Sequence, residues 1–215
     1  MSSASTSSTK PRIVLGIIIV VLALLLLAGC CVVPFKYESF SILYKFGMEK
    51  AYLRSGKIVG ITIALLVFYQ VLLASRFTIF EQVFSAKKLL FLHRLNGIAI
   101  GVLVIVHPLL IKASENFTPY TFAKKYYPEF LGIGVLCVLL TLSLAAVLRN
   151  LFKLPYKKWL FQHRFGATLV LLVLPAHVLF VSETFKQGIP RKAAVIIFGL
   201  NLLIISRIWL HRIIK

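Results

Sequence analysis

Six long apolar stretches alternate with short polar segments along the chain. Each stretch has about the 20 residues that a helix needs to cross a bilayer. The pattern therefore predicts an all-α integral membrane protein, a bundle of six spanning helices. The predicted spans cover residues 13–33, 58–75, 89–111, 130–148, 159–181 and 193–210.

The segments outside the spans are too short to form a second folded domain. We expect a disordered cytoplasmic N-terminus at 1–12, a six-span domain at 13–212 and a cytoplasmic tail at 213–215. Residues 34–57, which mix aromatic residues with lysines, are predicted to be an interfacial connector. No Gly-rich dinucleotide fingerprint occurs in the sequence, so no soluble flavin or NAD(P)H domain is predicted.

The first span leaves one alternative open. The run from Leu27 to Cys30 is similar to the cleavage box of a bacterial lipoprotein signal, in which case residues 1–29 would be removed. The apolar run is longer than the core of most signal peptides, and this favours an uncleaved first helix.

The charge of the chain is strongly basic, with 25 Lys and Arg against 6 Asp and Glu and a net charge of +19. The chain is 60% hydrophobic and 14% charged, and its basic side chains lie in short segments between the apolar runs. That placement suits anionic lipid headgroups and the orientation of membrane insertion, and it argues against nucleic acid as a partner. The basic segment 149–158 favours an orientation with both termini inside (N-in and C-in). We expect the lipid bilayer to surround the protein.

Two stretches in the third and fifth predicted spans are near copies of one another. Each begins with His-Arg and ends on a second histidine fourteen positions on, from His93 to His107 and from His163 to His177. Fourteen residues of helix turn through about 1400°, roughly 40° short of four full turns. Both histidines of a stretch therefore lie on one helix face, about 21 Å apart along the axis.

The direction of the two spans determines which histidines can meet. The third and fifth spans run in parallel, so His93 and His163 share one membrane face and His107 and His177 share the other. Neutral imidazole nitrogens suit haem iron, and each pair can bind one iron from opposite sides. Proton relay or a structural role is the alternative, although no Asp or Glu lies deep in a span. The sequence predicts two b-type haems stacked between the third and fifth helices, with these four histidines as metal ligands.

Four neighbouring residues are further candidates for cofactor binding. Arg94 and Arg164 follow the first histidine of each stretch and can pair with haem propionates, or they can serve the positive-inside bias alone. Gly97 and Gly166 lie about one turn further and can make room for the macrocycle, or they can allow close helix packing. Glycines that permit close helix approach also stand near the start of the fourth span, at Gly132 and Gly134.

On these residues the sequence resembles the ferric reductase-like transmembrane domain family. This family includes ferric reductases, the membrane portions of NADPH oxidases and bacterial haem subunits of methionine sulfoxide reductase systems. The resemblance covers roughly residues 13–212, through six spans and the two His-Arg stretches on the third and fifth. It implies that the pair of first histidines, His93 and His163, ligates an inner haem b, and that His107 and His177 ligate an outer one.

The resemblance also implies a path for electrons. They would pass from a cytoplasmic flavoprotein carrying FAD, or from a quinone, through both haems to an external acceptor such as ferric iron, dioxygen or a partner protein. Without a dinucleotide site, the chain would be an electron-transferring subunit that cannot use NAD(P)H by itself. Two other functions stay open: a quinol-linked respiratory-type cytochrome b, which would fit if the first apolar run were cleaved, and a non-redox membrane scaffold or transporter.

Overall fold

The computed structural model describes residues 9–38, 46–151, 153–186 and 188–213, and this part of the chain is all-helical. Six of its α-helices are long and apolar enough to cross a membrane, and one further helix, α3, is short. The predicted all-α fold with six spans is therefore confirmed. Parts of the predicted N-terminus, connector and tail, at 1–8, 39–45 and 214–215, lie outside the described residues. The helices are α1 (Thr9–Lys36), α2 (Gly47–Ala74), α3 (Thr78–Val83), α4 (Ala86–Ser114), α5 (Tyr127–Leu148), α6 (Tyr156–Val181) and α7 (Gly188–Ile213).

The helices extend beyond the apolar stretches that predicted them. α2 starts at Gly47, whose φ of 75° suits glycine, so the helix begins before the predicted span at 58–75 and includes the second part of the predicted connector 34–57. Hydropathy marks only the membrane-embedded turns, and polar turns can continue a helix into the interface. There Lys50 and Arg54 both bind the carboxylate of Glu38, with Lys50 Nζ at 3.2 Å. The hydrogen bond from Lys50 holds the pKa of Glu38 below its usual value.

The start of α1 differs from the sequence expectation in the same way. The helix begins at Thr9, inside the segment 1–12 that was predicted to be disordered. Pro11 lies in the first turn, where its missing N–H would have no partner within the helix in any case. The spanning helix therefore carries a short polar extension.

Two antiparallel hairpins, α2–α4 and α5–α6, form the centre of the molecule and repeat one another. α4 packs most closely on α2, and α6 packs most closely on α5. Two buried positions of α5 lie 72 residues after buried positions of α2, and two buried positions of α6 lie 70 residues after buried positions of α4. The matching core residues are Ile63, Val67, Ile100 and Val104 in the first hairpin and Val135, Leu139, Val170 and Leu174 in the second.

The remaining spans flank these hairpins. α1 packs on α2, where the hydroxyl of Tyr69 donates to the carbonyl oxygen of Ala23 at 2.8 Å, and on α3. α7 packs on α6 and α2, and Trp209 Nε1 donates to Thr168 Oγ1 of α6 at 3.2 Å. Most apolar side chains of α1 are exposed, as expected for a helix that faces lipid.

Candidate functional site: two histidine pairs

The four histidines of the repeated stretches meet in two pairs. His93 of α4 lies beside His163 of α6, with ring centres 6.2 Å apart and ring planes at 67°. His107 and His177 form the second pair, with ring centres 6.5 Å apart and planes at 80°. We call these the inner pair and the outer pair, after the N-in orientation that the charges predict. The inner pair lies near the start of both helices and the outer pair near their ends.

The separation within each pair can be compared with that of two imidazoles bound to one metal ion. An imidazole nitrogen binds such an ion at about 2 Å, and the ring centre lies about 1.2 Å beyond the nitrogen. Two rings on opposite sides of one ion would therefore have centres about 6.4 Å apart. The separations of 6.2 and 6.5 Å agree with this value at both levels.

The number of ligands limits which metal group can fit. In the described part of the chain, no three or more His, Cys, Asp or Glu side chains come together as a metal cluster. Each level offers two imidazoles, which is too few for a closed site built from protein alone. Haem fits this donor set, because the macrocycle supplies four nitrogens and leaves two axial positions for histidine.

The outer histidines are held by hydrogen bonds to the backbone of neighbouring helices. His107 Nδ1 donates to the carbonyl oxygen of Gly56 in α2 at 2.9 Å. His177 Nδ1 donates to the carbonyl oxygen of Pro128 in α5 at 2.8 Å. Because a carbonyl can only accept, each Nδ1 carries the proton, and the lone pair of the neutral ring is on Nε2. Metal-binding histidines commonly have this arrangement, which fixes the ring and makes Nε2 the ligand atom.

A glycine stands four residues after each of these carbonyls. A Cβ at Gly60 of α2 would lie 2.7 Å from Cε1 and 3.0 Å from Nδ1 of His107. A Cβ at Gly132 of α5 would lie 2.6 Å from Nδ1 of His177 and closer still to its Cε1. Both imidazole rings thus occupy the space that any other residue would fill.

The inner histidines have different surroundings. Gln70 Nε2 of α2 donates to the backbone carbonyl of His93 at 2.9 Å, and Asn96 Nδ2 donates to Gln70 Oε1 at 2.7 Å. The ring of Trp159 stacks on that of His163, with centres 5.3 Å apart and planes at 26°. Nδ1 of His163 is buried without a hydrogen-bond partner in the described residues, whereas the ring of His93 faces the backbone of Gln70. Packing and backbone contacts therefore position the inner pair.

The predicted arginines and glycines take different positions around the inner pair. Arg94 is exposed and Arg164 is half-buried, and each directly follows an inner histidine. A Cβ at Gly97 would meet Gln70 Nε2 at 3.2 Å, and a Cβ at Gly166 would meet Leu142 Cδ2 at 2.9 Å. Both glycines thus lie at helix contacts, the alternative that the sequence left open. Their role beside a cofactor stays a prediction.

Sequence reasoning missed several residues that hold the histidines in place. Gly60, Gln70 and Trp159 were not singled out as site residues, and Gly132 was assigned only to helix packing. One weak signal was present, since Gly56 and Gly60 form a small-xxx-small pair of the kind that marks helix contacts. Such a pair indicates a close approach without saying which side chain approaches.

Fold and site together define an integral membrane protein with paired histidines at two levels, an arrangement suited to redox groups in the bilayer. The family described as ferric reductase like transmembrane component matches residues 59–174, more than half of the chain. The chain belongs to this family, which confirms the resemblance and points to a membrane component of electron transfer. The match includes His93, His107 and His163 and ends three residues before His177. No curated protein and no solved structure matches the chain.

Proposed function

We propose that this protein carries electrons across the membrane through two b-type haems, each ligated by one histidine pair. The inner pair, His93 and His163, would hold one haem, and the outer pair, His107 and His177, the other. The observation that carries the proposal is the fit of both ring separations, 6.2 and 6.5 Å, to two axial imidazoles on one iron. Family membership supports the same conclusion.

The side chains of the site would bind and orient the cofactor and exclude water from it. The carbonyls of Gly56 and Pro128 hold the proton of each outer imidazole on Nδ1 and leave Nε2 available as a ligand. The spans around both pairs keep them in a medium of low polarity. We assign Arg94 and Arg164 to the propionates of the inner haem, because a guanidinium matches a carboxylate with two hydrogen bonds. Haem, when bound, supplies a reversible one-electron couple at each level.

The proposal includes a donor and an acceptor on opposite sides of the membrane. With N-in and C-in orientation, the inner pair lies near the cytoplasmic face, where a flavoprotein or a quinol can deliver electrons. The outer pair lies near the opposite face, where ferric iron, dioxygen or a partner protein can accept them. Because two histidines would hold each haem, its iron would have no free coordination position, and an acceptor would have to take the electron without binding to the iron.

The first test is the absorption spectrum and haem content of the purified chain. We expect a low-spin b-type spectrum and about two haems per chain. The ring planes at 67° and 80° add a second readout, because two nearly perpendicular imidazoles that held one iron would leave two of its d orbitals nearly equal in energy. The ferric protein should then give strongly anisotropic low-spin EPR signals. A colourless protein after expression with ample haem would refute the proposal.

The second test separates the two levels. Replacing His107 or His177 by Leu should remove the outer haem and leave about one haem per chain, and His93→Leu should remove the inner one. The two kinds of variant should retain different EPR signals and different midpoint potentials. If His107→Leu and His177→Leu both retain two unchanged haems, the proposed pairing is wrong.

A further inference from the structure

A recurring contact between helices suggests how the outer histidines are positioned. It consists of a helix carbonyl at position i, a glycine at i+4 and a side-chain donor from a neighbouring helix that binds the carbonyl over the glycine. We call it a glycine notch. Four occur in the described residues, at Gly60, Gly97, Gly101 and Gly132.

Helix geometry explains what the glycine contributes. The carbonyl at position i already accepts the N–H of residue i+4, but its oxygen has a second lone pair. The Cα–Cβ bond of residue i+4 tilts toward the N-terminus and so leans over that oxygen. A glycine leaves the second lone pair open to a donor from outside the helix.

Two of the notches bind ordinary polar side chains. Gln70 Nε2 occupies the notch formed by the His93 carbonyl and Gly97. Ser143 Oγ of α5 occupies the one formed by the Gly97 carbonyl and Gly101, with an oxygen–oxygen distance of 3.3 Å. These notches join spanning helices, where interhelical hydrogen bonds add to close packing.

The other two notches bind the outer histidines and occupy equivalent places in the repeated hairpins. Gly56 and Gly60 in α2 correspond to Pro128 and Gly132 in α5, each 72 residues on. His107 in α4 corresponds to His177 in α6, 70 residues on. Both hairpins thus use an equivalent carbonyl, an equivalent glycine and the Nδ1 nitrogen of the histidine.

We propose that Gly60 and Gly132 are positioning residues for the outer haem, and that any side chain at either position displaces the histidine that binds it. This inference rests on the proposed function. An ordinary contact begins at 3.4 Å, so a Cβ at Gly60 forces Cε1 of His107 back by about 0.7 Å from its 2.7 Å position. A binding residue has to stay within about 0.5 Å of its productive place. The displaced ring also loses its hydrogen bond to Gly56, and with it the fixed Nδ1 proton.

The test compares Gly132→Ala with Gly134→Ala in the same helix. A Cβ at Gly134 meets nothing within 4 Å, so this variant adds the same methyl group to α5 without touching a histidine. We expect Gly132→Ala and Gly60→Ala to fall from about two haems toward one per chain, with loss of the outer EPR signal. Gly134→Ala should keep both haems and both signals.

Three outcomes would be distinguishable. A wild-type chain without haem overturns the proposed function itself. A wild-type chain with two haems, together with Gly132→Ala and Gly60→Ala variants that keep both unaltered, overturns the positioning role alone. Equal loss of both haems in Gly132→Ala would indicate a general packing defect and would also overturn it.

A second measurement covers the case in which Gly132→Ala does not fold well. The collision is with the ring of His177, so removing the ring should remove the cost of the added methyl group. Gly132→Ala should lower the unfolding temperature in the wild-type background and have little effect in a His177→Ala background. An equal decrease in both backgrounds would contradict the inference.

Discussion

The bonds among Gln70, Asn96 and the backbone of His93 give a quantitative prediction for stability. Gln70 Nε2 donates to the carbonyl of His93 at 2.9 Å, and Asn96 Nδ2 donates to Gln70 Oε1 at 2.7 Å and to the carbonyl of Leu66 at 2.9 Å. These bonds join α2 to α4 beside the inner pair. Gln70→Leu removes two of the three bonds, and so does Asn96→Leu.

The size of the effect follows from what each variant leaves behind. A side-chain hydrogen bond between spanning helices contributes about 0.6 kcal/mol on average, so the two lost bonds give about 1.2 kcal/mol for each single variant. Asn96→Leu in addition leaves Gln70 Oε1 without its donor, at a cost of about 1 kcal/mol or more. The double variant loses the shared bond only once and leaves no amide behind. It should therefore be less destabilised than the sum of the two single variants by about 0.5–2 kcal/mol.

Unfolding in mixed detergent micelles, followed by far-UV circular dichroism, measures these differences as a double-mutant cycle. Thr141→Val is a suitable control, because the hydroxyl of Thr141 donates to the carbonyl of Cys137 within its own helix. It should change the free energy of unfolding by less than about 0.5 kcal/mol. If the two single variants add to the double variant within about 0.3 kcal/mol, the network does not join the two helices as described.

Two further predictions concern opposite ends of the bundle. Trp159→Leu removes the ring that stacks on His163 at 5.3 Å. It should alter the absorption and midpoint potential of the proposed inner haem and leave the proposed outer haem unchanged, with Trp209→Leu as control. Equal changes at both levels would count against the assignment. Thr184→Val should lower the free energy of unfolding by about 1–3 kcal/mol, because this buried hydroxyl accepts from Lys57 Nζ at 3.3 Å and also donates to the backbone after α1. Thr184→Ser keeps both bonds and should stay close to wild type in thermal unfolding, and a Val variant as stable as the Ser variant would contradict the prediction.

Hydropathy predicted the six spans because a chain in a bilayer must satisfy its backbone hydrogen bonds internally, and a helix does so within one apolar segment of sufficient length. It did not predict where the helices end. α2 continues outward to Gly47 through Glu49, Lys50 and Arg54, residues that water and Glu38 can satisfy at the interface. Apolar character shows which part of a helix lies within the membrane. Where the helix ends depends on local hydrogen bonds and ion pairs outside the membrane.

The glycines show a second limit. The sequence offered two roles for Gly97 and Gly166, beside a cofactor or between helices, and periodicity could not choose between them. Gly97 lies against Gln70, which is remote in the sequence, and Gly166 lies against Leu142 of the preceding helix. A missing side chain makes space in one direction, and only the position of the neighbouring helix decides what enters that space.

The sequence by itself determined that the histidines lie at two levels of the membrane. Fourteen residues of helix place two side chains on one face about 21 Å apart, wherever that helix is located. The tertiary structure decided the rest: which rings meet, which ring nitrogen carries a proton and which glycines receive the rings. These features depend on contacts such as His107 with Gly56 and His177 with Pro128, whose partners are 51 and 49 residues apart in the chain. Such contacts are made between helices, so the period of a single helix contains no information about them.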